Sequence, residues 1–281
     1  MTTLPEYEIY AIRYATRDAV RRDHFIGGDP HDSPMPMDYF VWCISGPQGP
    51  IVLDLGFTEE MARERKRTFL RCPIDSLKLI GVDARDVRDV IISHMHYDHV
   101  GNFAKFDRAR FHLQAREMAY ATGKYMRYPR PGHSYHVEDV VGMVRLNFKG
   151  RVELHEGVVE VAPGITLHPA PGHADGLQVA RVHTRRGWVV LASDATHYYE
   201  HLFTNRLFTT AFHLGEMLDS FRLLEKLAPT PRHIIPGHDP HVMKEYEPPK
   251  PALAGAVIRL DVPPVGPEPT WPGKESAPPR H

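Results

Sequence analysis

His94-Met95-His96-Tyr97-Asp98-His99 sets three imidazoles and a carboxylate within six residues, directly after the apolar run Val90-Ile91-Ile92. A run unbroken by polar residues reads as a strand buried on both faces, here ending at His94. The two-residue period of a strand end puts His94 and His96 on one side, and a helical turn after them carries Asp98 and His99 in another direction. One stretch of chain can therefore serve two adjacent divalent metal ions. Such a pair takes about seven or eight ligands and shares a carboxylate and a solvent oxygen, so four residues are not enough.

Outward from this motif, three further apolar runs deliver the chain to polar loops. Ile165-Thr-Leu-His-Pro-Ala170 leads to Pro171-Gly-His173, Trp188-Val-Val-Leu-Ala192 to Ser193-Asp194, and His233-Ile-Ile235 to Pro236-Gly-His238. Loops at strand ends are where α/β sheets place their chemistry, so His173, Asp194 and His238 are the candidates for the missing ligands. Nitrogen and oxygen donors without thiolate suit zinc, with manganese, iron or cobalt admitted by availability. Cys43 and Cys72 are too few and too far apart for a Cys-based zinc site or a disulfide framework.

This ordered set resembles the metallo-β-lactamase superfamily, and the Gly-His-Asp around His238, with the spacing, resembles the N-acyl homoserine lactonase family of quorum-quenching hydrolases within it. The likeness runs from about residue 39 to 244. It implies an αββα sandwich, a layered α/β fold with a dinuclear site at one edge of two sheets. It also implies one metal on His94, His96 and His173, a second on Asp98, His99 and His238, and Asp194 bridging. A hydroxide activated by the two metals would attack an ester-like carbonyl, and Asp98 would relay the proton to the departing alkoxide. One departure concerns substrate: the family's tyrosine three residues after the bridging aspartate is here His197, with Tyr198 next. Either could supply the hydrogen bond to the carbonyl.

Two rivals remain beside lactone opening. One is a hydrolase of another ester, thioester or phosphoester with the same metals. The other is a non-enzymatic metal-binding regulatory module, which degenerate homologues reach by losing ligands; all seven are present here. Asp54, ending Ile51-Val-Leu-Asp54, reads either as a brace for the 94–99 loop or as a turn cap. Met35, Met37 and Tyr39 read either as one wall of the substrate pocket or as core.

The rest of the chain frames these residues. The 281 residues carry 34 Lys+Arg against 35 Asp+Glu, a net charge of −1, which argues against a nucleic-acid footprint. No apolar stretch is long enough for a membrane span, and the start lacks a secretory signal, so a cytoplasmic protein without membrane or nucleic-acid partners is expected. Residues 7–13 alternate as a strand, and 39–44 and 51–55 flank a hairpin turn. Thr58 reads as the cap of a helix continuing to about Leu70, Pro73 opens a short helix ending at Gly81, and Asp83 caps another. Residues 212–228 carry the stripe of an amphipathic helix. A single domain is expected over 1–247, with the tyrosine- and arginine-rich segment 114–148 as a lid or as the contact of a homodimer. Residues 248–281, with ten of the 26 prolines, read as an extended tail.

Overall fold

The computed structural model describes residues 3–31 and 33–266. The first sheet contains β1 (Glu8–Arg17), β2 (Met37–Gly46), β3 (Gly49–Leu53), β4 (Thr68–Phe69), β5 (Asp89–Ile91), β6 (Arg110–Gln114) and β7 (Val152–His155). The second contains β8 (Val159–Ala162), β9 (Ile165–Pro169), β10 (Gln178–Thr184), β11 (Gly187–Ser193) and β12 (Ile234–Pro236). A last strand, β13 (Val257–Arg259), returns to the first sheet beside β1, giving the order β13-β1-β2-β3-β5-β6-β7, with β4 also on β1. β3, β5, β6 and β7 run parallel, the arrangement that needs cover on both faces.

Strand alternation sorts side chains between two layers. In β2, Phe40, Trp42 and Ile44 point into the space between the sheets, where Ile165, Leu167, Val182 and Leu191 meet them. Val41 and Cys43 point the other way, towards the outer helices. Those helices are α1 (Glu59–Glu64), α2 (Tyr97–Val100), α3 (Ala115–Ala121), α4 (Pro129–Gly132) and α5 (Val137–Phe148). Across the second sheet lie α6 (Tyr199–Thr204) and α7 (Leu214–Leu227), and α8 (Val242–Glu245) follows β12. Met217, Phe221 and Leu224 of α7 pack on Val179 and Val190, as the helical stripe predicts. The layering is the expected αββα sandwich.

Four sequence expectations need correction. The strand before the metal motif ends at Ile91, not at His94, because Ser93 turns to bond Asp54. α1 stops at Glu64, short of Leu70: Lys66 takes a left-handed backbone (φ 54°), and Thr68–Phe69 then pair with β1. The segment 114–148 is not a free lid, since Met118, Val140, Met143 and Leu146 belong to the core beneath the first sheet. The boundary at 247 cuts through the fold. β13 pairs with β1, and Val257, Ile258 and Leu260 are buried, so apolar side chains decide the fate of this stretch over its prolines. The remainder of the expected tail, 267–281, lies outside the described residues. Among the described residues no helix is long and apolar enough to cross a membrane.

Candidate metal centre

Five separate stretches of chain meet at one edge of the sandwich. After β5 the chain turns through His94 and His96 into α2, which carries Asp98 and His99. Loops after β9, β11 and β12 bring His173, Asp194 and His238. Asp54 follows β3 in a left-handed conformation (φ 60°) that turns its carboxylate inward. All seven expected ligands are buried: His94, His96 and His173 form one group, Asp98, His99 and His238 another, and Asp194 groups both with His94 and His99 and with His173 and His197.

Asp194 spans the two groups. Its Oδ2 lies 3.2 Å from His173 Nε2 and its Oδ1 3.0 Å from His238 Nε2 and 3.5 Å from His99 Nε2. On the first side, His96 Nδ1 sits 2.9 Å from both His94 Nε2 and His173 Nε2. Neutral imidazoles have one donor each, so three ring nitrogens pointing at one spot leave lone pairs unspent. His99 Nε2 and Asp194 Oδ1 are buried without a hydrogen-bond partner, an arrangement that is costly unless a cation is shared between them. Five imidazoles and two carboxylates, with unspent lone pairs converging, fit divalent metal ions.

The outward ring nitrogens are tied down, which fixes the inward ones. His94 Nδ1 meets Ser93 Oγ at 3.0 Å, His99 Nδ1 meets Asp54 Oδ2 at 2.8 Å, His173 Nδ1 meets the Thr210 carbonyl and His238 Nδ1 the Asp38 carbonyl, both at 2.9 Å. Each Nδ1 donates outward and leaves Nε2 for the centre, while His96 alone presents Nδ1 inward. Asp54 also accepts from Ser93 N and Oγ and from Ser193 Oγ, so it braces the loop rather than merely capping a turn. Burial drives the His94 and His96 pKa values well below the ordinary range and keeps both rings neutral. For His99 burial acts in the same direction, but Asp194, Asp98 and Asp54 outweigh it and hold its pKa high.

Glu117 on α3 is a brace that the sequence did not announce. Fully buried, it accepts from Met95 N and Gly176 N, both at 2.9 Å, and from the Tyr135 hydroxyl at 2.9 Å. It therefore joins the loop of His96 to the loop of His173, and the Tyr135 ring packs edge-on against His96 at 4.7 Å. The approach is close enough that a Cβ on Gly176 would fall 2.1 Å from Glu117 N.

A pocket of about 250 Å³ opens over five of the seven donors, His96, Asp98, His173, Asp194 and His238, and an adjoining cleft of about 760 Å³ is lined by Tyr120, Tyr125 and Phe212. Met37 and Tyr39 line the pocket; Met35 does not, and serves the core instead. His197 also lines it, stacked on Phe208 at 4.0 Å with Nε2 3.0 Å from Asp194 Oδ2. Burial pushes the His197 pKa down to about 3 against the pull of Asp194, so the ring is neutral and donates to that carboxylate. Tyr198 is a correction: its hydroxyl donates to the Pro36 carbonyl at 3.1 Å, turned away from the pocket. The lining also includes His24, Arg17, Arg67, Tyr97 and His133, none foreseen as a set, because they come from distant strands whose register no local pattern reveals.

The model of the metallo-beta-lactamase superfamily matches residues 36–238. N-acyl homoserine lactonase AiiA of Bacillus thuringiensis subsp. kurstaki is 28% identical over 217 residues, 71% of this chain and 81% of that protein. N-acyl homoserine lactonase AttM of Azorhizobium caulinodans is 26% identical over 250 residues, 78% of this chain and 88% of its own length. Among solved structures, a quorum-quenching N-acyl homoserine lactone lactonase superposes with a TM-score of 0.72 at 22% identity, covering 86% of this chain and 95% of its own. The hydrolase AbOPH superposes with a TM-score of 0.63 at 14% identity, over 85% and 91%. The superfamily match takes in every one of the seven converging donors and most of the two sheets that carry them, and the chain therefore belongs to the metallo-β-lactamase superfamily.

Proposed function

We propose that this metal-dependent hydrolase opens a lactone of the N-acyl homoserine lactone kind at a dinuclear centre, which would make it a quorum-quenching enzyme. The observation that carries the reading is the convergence of seven buried donors on a shared Asp194, two of them with polar atoms left unpartnered. His94, His96 and His173 would hold one ion, Asp98, His99 and His238 the other, and zinc best suits the donor set. When bound, such ions lower the pKa of water towards neutrality and polarise a carbonyl oxygen.

The chain's own residues supply the rest. Asp98 faces the pocket, where its carboxylate can take the proton released on attack and pass it to the leaving alkoxide. His197 is the pocket-lining candidate for orienting the carbonyl, directly or through Asp194, since the Tyr198 hydroxyl is already committed. The relatives named as lactonases support the substrate class. An imidazole at position 197 favours keeping one alternative, a different ester or thioester cleaved by the same residues. A homodimer is part of the proposal, supported by exposed Val137 and Phe148 at the two ends of α5.

The test is metal analysis joined to turnover of acyl lactones, aryl esters, thioesters and phosphoesters, with light scattering for the dimer. Activity should vanish on chelation and return with zinc, and Asp98→Asn should lose at least about 100-fold in kcat with the fold kept. Undiminished turnover by the chelated protein, or none by the loaded protein across the panel, would overturn the reading.

A further inference from the structure

One wall of the pocket is cationic in a way the metal centre does not use. β1 and β4 pair Ala15 with Phe69 and Thr16 with Thr68, and just beyond this pairing stand Arg17, the last residue of β1, and Arg67, which precedes β4. Both line the pocket that also holds Asp98 and His197. Among the described residues neither guanidinium has a carboxylate within salt-bridge distance. Arg17 Nη1 approaches only Met37 Sδ, at 3.9 Å. Arg67 donates Nε to the Tyr97 hydroxyl at 3.1 Å and Nη1 to the Arg65 carbonyl at 2.6 Å.

The contrast with other arginines is one of place: half-buried Arg71, Arg151, Arg181 and Arg186 also hold no carboxylate among the described residues, but none of them lines this pocket. Arg13, Arg21, Arg116, Arg206 and Arg259 each hold an Asp or Glu. The side chains of Arg17 and Arg67 are half-buried in one pocket wall, and a half-buried guanidinium with no anion paired to it is unfavourable by itself. Asp98 acts on Arg67 from a distance and favours its charged form, but no carboxylate lining the pocket makes an ion pair with either arginine. Asp98 is directed at His99 and His238, at 3.6 and 3.7 Å, Asp194 is enclosed by five imidazoles, and Asp23 is solvent-exposed at the mouth. Guanidinium forks match a carboxylate in shape as well as charge.

We infer that Arg17 and Arg67 form an anion subsite, so that the preferred substrate carries a carboxylate in addition to the ester that is cleaved. This rests on the hydrolase reading above and narrows its substrate class. A neutral acyl chain would then leave this wall unused, lying instead along the tyrosine-lined cleft.

The test compares 5-oxotetrahydrofuran-2-carboxylate with its carboxamide, two lactones of nearly equal size that differ in charge, on the zinc-loaded full chain. The wild-type protein should prefer the carboxylate by about 10-fold or more in kcat/KM, through KM, and the preference should shrink in high salt. Arg17→Gln and Arg67→Gln should each reduce the ratio between the two lactones several-fold. Equal use of both, or an unchanged ratio in both variants, overturns the subsite while leaving the hydrolase reading intact. If neither lactone is opened, titration calorimetry decides: carboxylate binding that exceeds carboxamide binding and falls in both variants upholds the subsite, and equal or absent binding overturns it.

Discussion

His24 stands at the pocket wall with Nε2 donating to the Met35 carbonyl at 2.9 Å, and burial lowers its pKa to about 4. An unfolded chain protonates histidine near pH 6.5. Between those values the unfolded state binds the extra proton, so stability is full above about pH 6.5, falls as the pH drops, and stops falling on this account near pH 4. The shift corresponds to a loss of order 3 kcal/mol. His24→Gln should flatten that acid limb relative to wild type in urea titrations at pH 7 and pH 4.5; identical limbs would remove His24 as the cause. At this scale the sequence was informative about identity and silent about direction. The seven donors were legible because each follows an apolar run that ends in a polar loop. The inward Nδ1 of His96 and the outward hydroxyl of Tyr198 depend on contacts made by residues far away in the chain, Tyr135 for one and Pro36 for the other.

At the scale of elements, α3 acts as a clasp. Its Glu117 accepts from backbone amides of two loops that share no strand, one carrying His94 and His96 of the first group and the other His173. Removing the carboxylate orphans three buried donors, which costs about 1–3 kcal/mol apiece. Glu117→Gln keeps the size but supplies one acceptor where two were used. It should weaken metal retention by about 10-fold in chelator competition, and Glu117→Ala should weaken it further while lowering the melting temperature. Metal affinity equal to wild type in Glu117→Gln would show that the clasp does not position the histidines. The hairpin of β2 and β3, the Thr58 cap, the Asp83 cap and α7 were all legible, since each rests on a local signal. The ends of α1 and β5 were not. Pairing with β1 stops the one, and the bond from Ser93 to Asp54 stops the other, and both are tertiary.

For the whole molecule, the informative segment is the last strand. β13 closes the edge of the first sheet beside β1, and Val257, Ile258 and Leu260 together contribute roughly 6 kcal/mol of apolar burial. Typical domains retain only about 5–15 kcal/mol in total, so a chain ended after Glu247 should lose its cooperative melting transition or aggregate through the bared edge of β1. Calorimetry and light scattering would read this, and a truncated chain that melts like the parent would refute it. Composition misled here because prolines are counted by number, whereas a strand needs only three or four residues free of them.

The Asp54 carboxylate also couples regions that lie far apart in the chain. It receives Ser93 and His99 from the first sheet's side and Ser193 from the second, so one small anion touches both halves of the sandwich and a ring at its rim. Sliding one sheet over the other would pull on that ring, and loading the rim would resist the slide. Melting temperature should therefore climb with free metal concentration, making heat resistance a gauge of occupancy.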